Sequence, residues 1–193
     1  MARIGLSPNK KNCIFILGIL GYVDEKHLRK FNIGRKTLNF LLQEKVIQKE
    51  KIGFNNNFND VYFLTNTGIK KFKKYHNKYN VGRSRSKFHD YIHSKNVLTL
   101  INNIEDLYSY TNERSIRYNL DDEIKKYEIK FKIEISCPDC SIMINNKKVY
   151  IETIVTRGRD REQRKVNFKY ILKDNEELII YKIGVKGGEY YEK

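Results

Sequence analysis

The chain has 193 residues, of which 40% are hydrophobic and 32% charged, so it can build a core and is not disordered by composition. Its net charge of +15 points to a polyanionic partner, and residues 1–80 alone carry 16 Lys and Arg against 5 Asp and Glu. Three cysteines are too few for a disulfide framework and fit a reducing cytoplasm, while the longest apolar run, residues 13–20, is too short to cross a bilayer.

The N-terminal segment predicts three short helices separated by turns. Apolar residues at 14–20 fit a helix with a buried side, and Gly21 is typical of its end. Asp24 is a typical N-cap for a second helix that runs to Phe31. After a turn, a third helix is expected over residues 34–45.

The third helix has two faces of different chemistry. Leu38 and Leu41 belong to one apolar stripe at helical spacing, whereas the opposite face is polar and basic. Arg pairs well with guanine and Asn with adenine in the major groove, where a recognition helix presents such side chains. We expect base contacts from Arg35, Lys36, Asn39 and Gln43.

A β-hairpin is predicted directly after the third helix. Its strands are expected at residues 46–52 and 60–64, and the Gly- and Asn-rich stretch between them is typical of a hairpin tip. Beside a recognition helix, such a hairpin is the wing of a winged helix. Lys49, Lys51 and Asn56 are therefore expected to contact phosphates or the minor groove.

Residues 62–68 read YFLTNTG and fit the pattern Y-x-L-T-x-x-G, in which Thr65 would cap the following helix. With this motif, residues 10–80 resemble the winged-helix regulators of bacteria. The resemblance implies contact with double-stranded DNA, and a winged helix that serves only protein contact is the alternative. A Gly- and Ser-containing stretch follows, so we expect a DNA-binding domain at 1–80 and a second domain at 86–193.

The second domain is predicted to contain helices and strands in the order helix, three strands, helix, strand. Asn145 and Asn146 are expected at a hairpin tip between the second and third strands. The six elements are expected at residues 86–104, 127–136, 139–144, 148–155, 161–172 and 177–183. Together with the first domain, this order predicts an α+β chain.

The order of these elements, with Asp139 after a proline at a strand start and Glu152 in the next strand, resembles the PD-(D/E)xK nuclease superfamily. In active members the two carboxylates hold a divalent metal, and a lysine two residues after the Glu assists a water. Here Ile154 takes that place. Lys165 or Lys169 in the following helix is a candidate replacement, and Mg²⁺ is expected only if the chain is a nuclease.

The whole chain is similar to the replication-relaxation family of plasmids and other mobile elements. The resemblance depends on residues 62–68, the helix of His89, the Pro-Asp pair ending at Asp139, and Glu152 followed by Thr156. It implies a winged helix joined to a degenerate nuclease-like domain. The implied role is control of plasmid or phage DNA: replication, mobilisation or transcription.

Cys137 and Cys140 form a C-x-x-C, and His89 and His93 share one helix face, which is a set of residues that zinc can use where helix and strand adjoin. The cysteines are predicted on a strand rather than in loops, so we expect buried thiols and surface histidines, and no bound cofactor.

The sequence therefore predicts a cytoplasmic protein that binds double-stranded DNA and has no membrane partner. Dimers are the usual way in which such modules read palindromes, so a homodimer is an expected partner. One alternative is a metal-dependent endonuclease that uses Asp139, Glu152 and Lys165. Another is an adaptor or inhibitor that binds only proteins.

Overall fold

The chain forms two compact α+β units, which confirms the predicted fold class at that level. A computed structural model describes residues 6–54, 57–82, 86–155, 159–183 and 188–192. The units are Met1–Ile104 and Glu105–Lys193. Across the described residues, no helix has the length and apolar composition needed to cross a membrane.

The first unit consists of helices packed with a small antiparallel sheet, whose strand order is β1-β3-β2. The hairpin of β2 and β3 runs in register from the pair Ile47 and Leu64 to the pair Phe54 and Asn57. The elements are α1 (Pro8–Leu20), β1 (Val23–Asp24), α2 (Glu25–Lys30), α3 (Arg35–Gln43), β2 (Ile47–Phe54), β3 (Asn57–Leu64), α4 (Asn66–Tyr75) and α5 (Lys87–Leu100).

Local signals explain where these helices begin and end. Helix α1 ends before Gly21, whose φ of 85° favours a residue without a Cβ. The Asp24 side chain accepts a hydrogen bond from the His27 amide at 2.9 Å and caps α2. The Thr65 hydroxyl accepts one from the Gly68 amide at 3.1 Å and caps α4. All three predicted helix boundaries are thereby confirmed.

The first unit extends further along the chain than the predicted domain of residues 1–80. Helix α5 belongs to it, because polar groups of α5 bond to the N-terminal elements. The Tyr91 hydroxyl donates to Asp24 Oδ2 at 3.0 Å, and the Ser94 hydroxyl donates to the Leu20 carbonyl at 2.8 Å. The composition change at 80–86 therefore does not end the first unit. The chain passes from the first unit to the second between residues 104 and 105.

The second unit is built on a mixed sheet in the order β4-β5-β6-β7-β8. Strands β6 and β7 are parallel, with helix α7 in the connection between them, and the other neighbouring strands are antiparallel. The elements are a 3₁₀ turn (Ile104–Ser109), β4 (Thr111–Asn112), α6 (Glu113–Phe131), β5 (Cys140–Ile144), β6 (Lys147–Ile154), α7 (Arg159–Val166), a second 3₁₀ turn (Asn167–Ile171), β7 (Glu176–Lys182) and β8 (Gly188–Glu192).

The strand predicted at residues 127–136 is wrong, because its first half continues helix α6. Ile116 and Ile124 of α6 are buried at helical spacing, and they join the core cluster of the sheet. The alternation that suggested a strand leaves Ile129 80% exposed. Strand β4, which precedes α6, pairs with β5 at the place that the predicted strand would have taken.

The hairpin of β5 and β6 is confirmed. Asn145 and Asn146 form its tip, with φ of 51° and 63°, and paired left-handed residues match the right-handed twist of the strands. The helix predicted at 161–172 is present as α7 followed by the second 3₁₀ turn.

Candidate functional site

Helix α3 presents the four predicted base-contacting residues on one exposed face. Leu38 and Leu41 on the other side are 1% and 0% exposed, so packing fixes the rotation of the helix. The four base-contacting candidates are spaced by one, three and four residues, and this spacing places them in one row along a helix. The exposed residues are Arg35, Lys36, Asn39 and Gln43.

Arg35 forms an ion pair with Glu25. Its Nε lies 2.9 Å from Glu25 Oε1, at the start of α2, and its side chain is 76% exposed. Arg29 also bonds to this carboxylate. Two guanidinium groups therefore share one carboxylate, and the net local charge remains positive. The ion pair keeps the Arg35 side chain close to the start of α2.

The β2–β3 hairpin exposes the two predicted lysines. Lys49 Nζ pairs with Asp60 Oδ2 at 2.7 Å across the strands, and both side chains are exposed by 41% and 46%. Lys51 is exposed as well. The predicted tip residue Asn56 lies outside the described residues.

The positive charge belongs almost entirely to the first unit. Residues 1–104 carry 20 Lys and Arg against 6 Asp and Glu, whereas residues 105–193 carry 18 against 17. The exposed face of α3 therefore lies within a strongly basic body.

In the second unit the structure brings Asp139, Glu152 and Lys165 together. Lys165 Nζ lies 2.9 Å from Glu152 Oε2, and the two side chains are 8% and 6% exposed. The same Glu152 oxygen accepts a hydrogen bond from the Asp139 amide at 3.0 Å. Asp139 Oδ2 in turn accepts one from the Thr153 amide at 2.9 Å. We call these three residues the acid–lysine cluster.

The sheet topology explains this meeting. Cys140 pairs with Ile151 in the β5–β6 register, so Asp139, just before β5, comes beside Glu152. Helix α7 follows β6 and supplies Lys165, which also donates to the Cys137 carbonyl. Of the two candidate lysines, Lys165 joins the acids, whereas Lys169 Nζ lies over the Tyr170 ring at 5.3 Å.

Burial dominates the electrostatics of the cluster. It raises the pKa of Glu152, and the negative charge of Asp139 raises it further, to about 8, although Lys165 acts in the opposite direction. Glu152 therefore binds a proton readily near neutral pH.

Backbone hydrogen bonds that could not be predicted from the sequence also hold the segments around the cluster in place. The Glu113 amide, in the first turn of α6, donates to the Asp139 carbonyl at 2.8 Å. Before β5, the Ser136 amide donates to the Arg164 carbonyl at 3.0 Å and so ties the irregular segment to α7. These contacts join residues far apart in sequence through backbone groups, which no spacing pattern reveals.

The residues considered for zinc are divided between the units. His89 and His93 lie on α5 with their rings stacked at 6.2 Å, while Cys137 and Cys140 lie in the second unit. The prediction of surface histidines is wrong for His93, which is buried on the packed side of α5. Burial raises the pKa of Cys137 to about 11 and that of Cys140 well above its usual value, so both remain thiols. In the part of the chain that the structure describes, no three His, Cys, Asp or Glu side chains are grouped to hold a metal.

Comparison of the chain with protein-family models, with curated proteins and with solved structures finds no match. The resemblance to the replication-relaxation family therefore stays a prediction. Its Thr156 lies outside the described residues.

Proposed function

We propose that the first unit binds double-stranded DNA as a winged helix-turn-helix, with α3 in the major groove and the β2–β3 hairpin as its wing. The observation that carries the proposal is the single exposed row formed by Arg35, Lys36, Asn39 and Gln43 on a helix whose other side is buried. Such a row suits base edges, and the basic surroundings suit phosphates.

Each side chain has a distinct task in this proposal. Arg35 donates to guanine, and Asn39 forms paired hydrogen bonds with adenine, because these side chains match the major-groove edges of those bases. Lys49 and Lys51 contact the backbone and position the helix without reading sequence. The proposed biological setting is a mobile element, where the protein would act in replication, mobilisation or transcriptional control. We also propose that it binds DNA as a homodimer.

The test is selection of bound sequences from a random duplex library, followed by fluorescence anisotropy on the enriched site. Asn39→Ala is expected to lose preference at one base pair, while Lys126→Ala, an exposed charge removal in the second unit, keeps the full preference. Failure of the wild type to bind any duplex at low salt would end the proposal and favour a protein-binding adaptor.

A second candidate function is metal-dependent cleavage of phosphodiester bonds by the second unit. The acid–lysine cluster favours it, because Asp139 and Glu152 would hold a divalent cation, and Mg²⁺ commonly binds through one or two carboxylates together with substrate phosphates. The metal would polarise a phosphate oxygen and lower the pKa of a bound water. The Lys165 ammonium, 2.9 Å from Glu152 Oε2, would offset phosphate charge beside the acids.

The cleavage test uses supercoiled and linear DNA with Mg²⁺ or Mn²⁺. Glu152→Gln and Lys165→Met are expected to abolish cutting, whereas Lys169→Ala, on the turn after α7, keeps it. Cleavage and metal affinity should increase as pH rises through about 8, because a deprotonated Glu152 is the metal ligand. Absence of cutting with either ion would leave the cluster a purely structural one.

A further inference from the structure

Helices α1 and α4 pack into one rigid pair on the first unit. The Phe15 ring stacks on Phe72 with centroids 6.4 Å apart, and it meets Tyr79 edge-on at 5.1 Å. Gly18 lies so close beneath Phe72 that an added Cβ would be 2.0 Å from the ring. The outward sides of the two helices therefore keep a fixed spacing.

The surface of this pair has no negative charge of its own. The sequence contains no Asp or Glu before Asp24, and none between Asp60 and Asp90, so neither helix carries an acid. We define the α1–α4 surface by its lysines, each of which is exposed or half-buried: Lys10, Lys11, Lys70, Lys71, Lys73, Lys74 and Lys78.

These lysines differ from other cations of the same unit. Arg35, Lys49 and Lys87 each pair with a carboxylate at 2.7–2.9 Å. Among the described residues, no lysine of the α1–α4 surface forms such an ion pair. Six of these positive charges lie on the acid-free pair of helices, and Lys78 follows the end of α4. The charges repel one another, and a polyanion would relieve that repulsion.

The first turn of α1 strengthens this point. It contains Lys10 but no acid, and no side chain caps it. Cations at a helix N-terminus face the positive end of the helix dipole, so the free protein holds them there against a local electrostatic cost. A nearby anion would offset this cost.

The α1–α4 surface is continuous with the recognition helix. Lys10 Nζ lies 3.2 Å from the centre of the Phe40 ring in α3, one turn after Lys36. Farther along, Lys11 Nζ and Lys74 Nζ lie 5.5 and 5.8 Å from the Tyr75 ring. Positive charge thus extends from the edge of α3 across the start of α1 to the end of α4.

We propose that the α1–α4 surface binds the phosphate backbone of duplex DNA that flanks the sequence read by α3. The inference rests on the proposed function of the first unit and names a second DNA contact for it. An anionic lipid surface is less suitable, because membrane-surface helices insert large apolar side chains, and the exposed large apolar residues among those described lie outside α1 and α4.

The experiment compares two duplexes that carry the selected site: one of about 14 base pairs, and one with about 10 further pairs on each side. The test variant is Lys70→Gln/Lys73→Gln/Lys74→Gln. The control, Lys125→Gln/Lys126→Gln/Lys130→Gln, removes the same charge from exposed positions of α6. Thermal melting by circular dichroism verifies that both variants fold.

With the long duplex, the slope of log K against log salt should fall by about 2 to 3 in the test variant, at about 0.9 per phosphate. The short duplex and the control variant should show no such change. Equal losses on both duplexes, or no loss on either, would overturn the inference. The inference would also be overturned if the test variant kept the wild-type salt slopes on DNA but lost binding to phosphatidylserine vesicles. A wild type that binds neither duplex would instead refute the proposed function.

Discussion

The two units use charge in opposite ways. The first carries 20 basic against 6 acidic residues, and among its described residues the lysines of the α1–α4 surface form no ion pair with an acid. The second is nearly neutral, with 18 against 17, and it buries Glu152 and Lys165. An exposed charged surface attracts a large, oppositely charged partner over a long range. A buried ion pair interacts only with groups that come into direct contact with it. The two proposals therefore rest on different observations: DNA contact on the charge surplus of the first unit, and cleavage on the geometry of the acid–lysine cluster in the second.

The largest expected effect is on the stability of the second unit. Lys165→Met leaves Glu152 buried beside Asp139 without its cation, and breaking such a pair costs about 3 kcal/mol. Urea unfolding should show this loss at pH 9 and a smaller one at pH 6, where Glu152 takes up a proton. Lys169→Met should change little, and equal losses of Lys165→Met at both pH values would contradict the burial argument.

The next largest effect is the pH dependence of the free energy of unfolding, which Glu152→Gln should reduce. The pKa of Glu152 is raised from 4.5 to about 8 in the folded chain, so the folded state binds more protons than the unfolded state between these values. Stability from this group is full below pH 4.5 and is lost as pH rises through about 8. Glu152→Gln should flatten that decline in urea midpoints, and Asp122→Asn, an exposed control on α6, should not.

The contrast between the units also shows what could be predicted from sequence. In the first unit, caps and helical spacing are local, so the caps at Asp24 and Thr65 and the buried and exposed sides of α3 could be predicted from the sequence. In the second, Tyr127 to Phe131 alternate as a strand does, yet the buried Ile116 and Ile124 make the segment helical. The secondary structure of this segment depends on packing with residues far away in the sequence, which the periodicity of a short window does not reveal.

The acid–lysine cluster was predictable only in part. Asp139 and Glu152 followed from their places on adjacent strands, but two lysines were open for the third position. Lys165 was selected by the crossover of α7 from β6 to β7, which places it over the acids. The division at residue 104 was likewise hidden, because it depends on hydrogen bonds from Tyr91 and Ser94 to residues about 70 positions earlier.

On DNA, Arg35→Ala should relax base preference by about 1–3 kcal/mol at one position, because its guanidinium matches a guanine edge. Competition anisotropy with single-base variants of the site measures this. Lys49→Ala should instead weaken binding to all sequences alike and lower the salt slope by about 1. Uniform weakening by both variants would show that α3 does not read bases.

The smallest expected effect is a gain. Asp60 pairs with Lys49 on the exposed hairpin, so Asp60→Asn frees a lysine and removes a negative charge from the proposed wing. Binding should strengthen by roughly a few-fold at low salt and return to the wild-type level as salt screens the charge. Glu134→Gln, an exposed change in the second unit, should leave DNA affinity unaltered.

The central claim is that the exposed row of α3 reads duplex DNA, and sequence selection with the wild type and Asn39→Ala tests it most directly. The account predicts one enriched site for the wild type and the loss of preference at a single adenine for the variant. Identical enrichment for both proteins, or none for either, would contradict it.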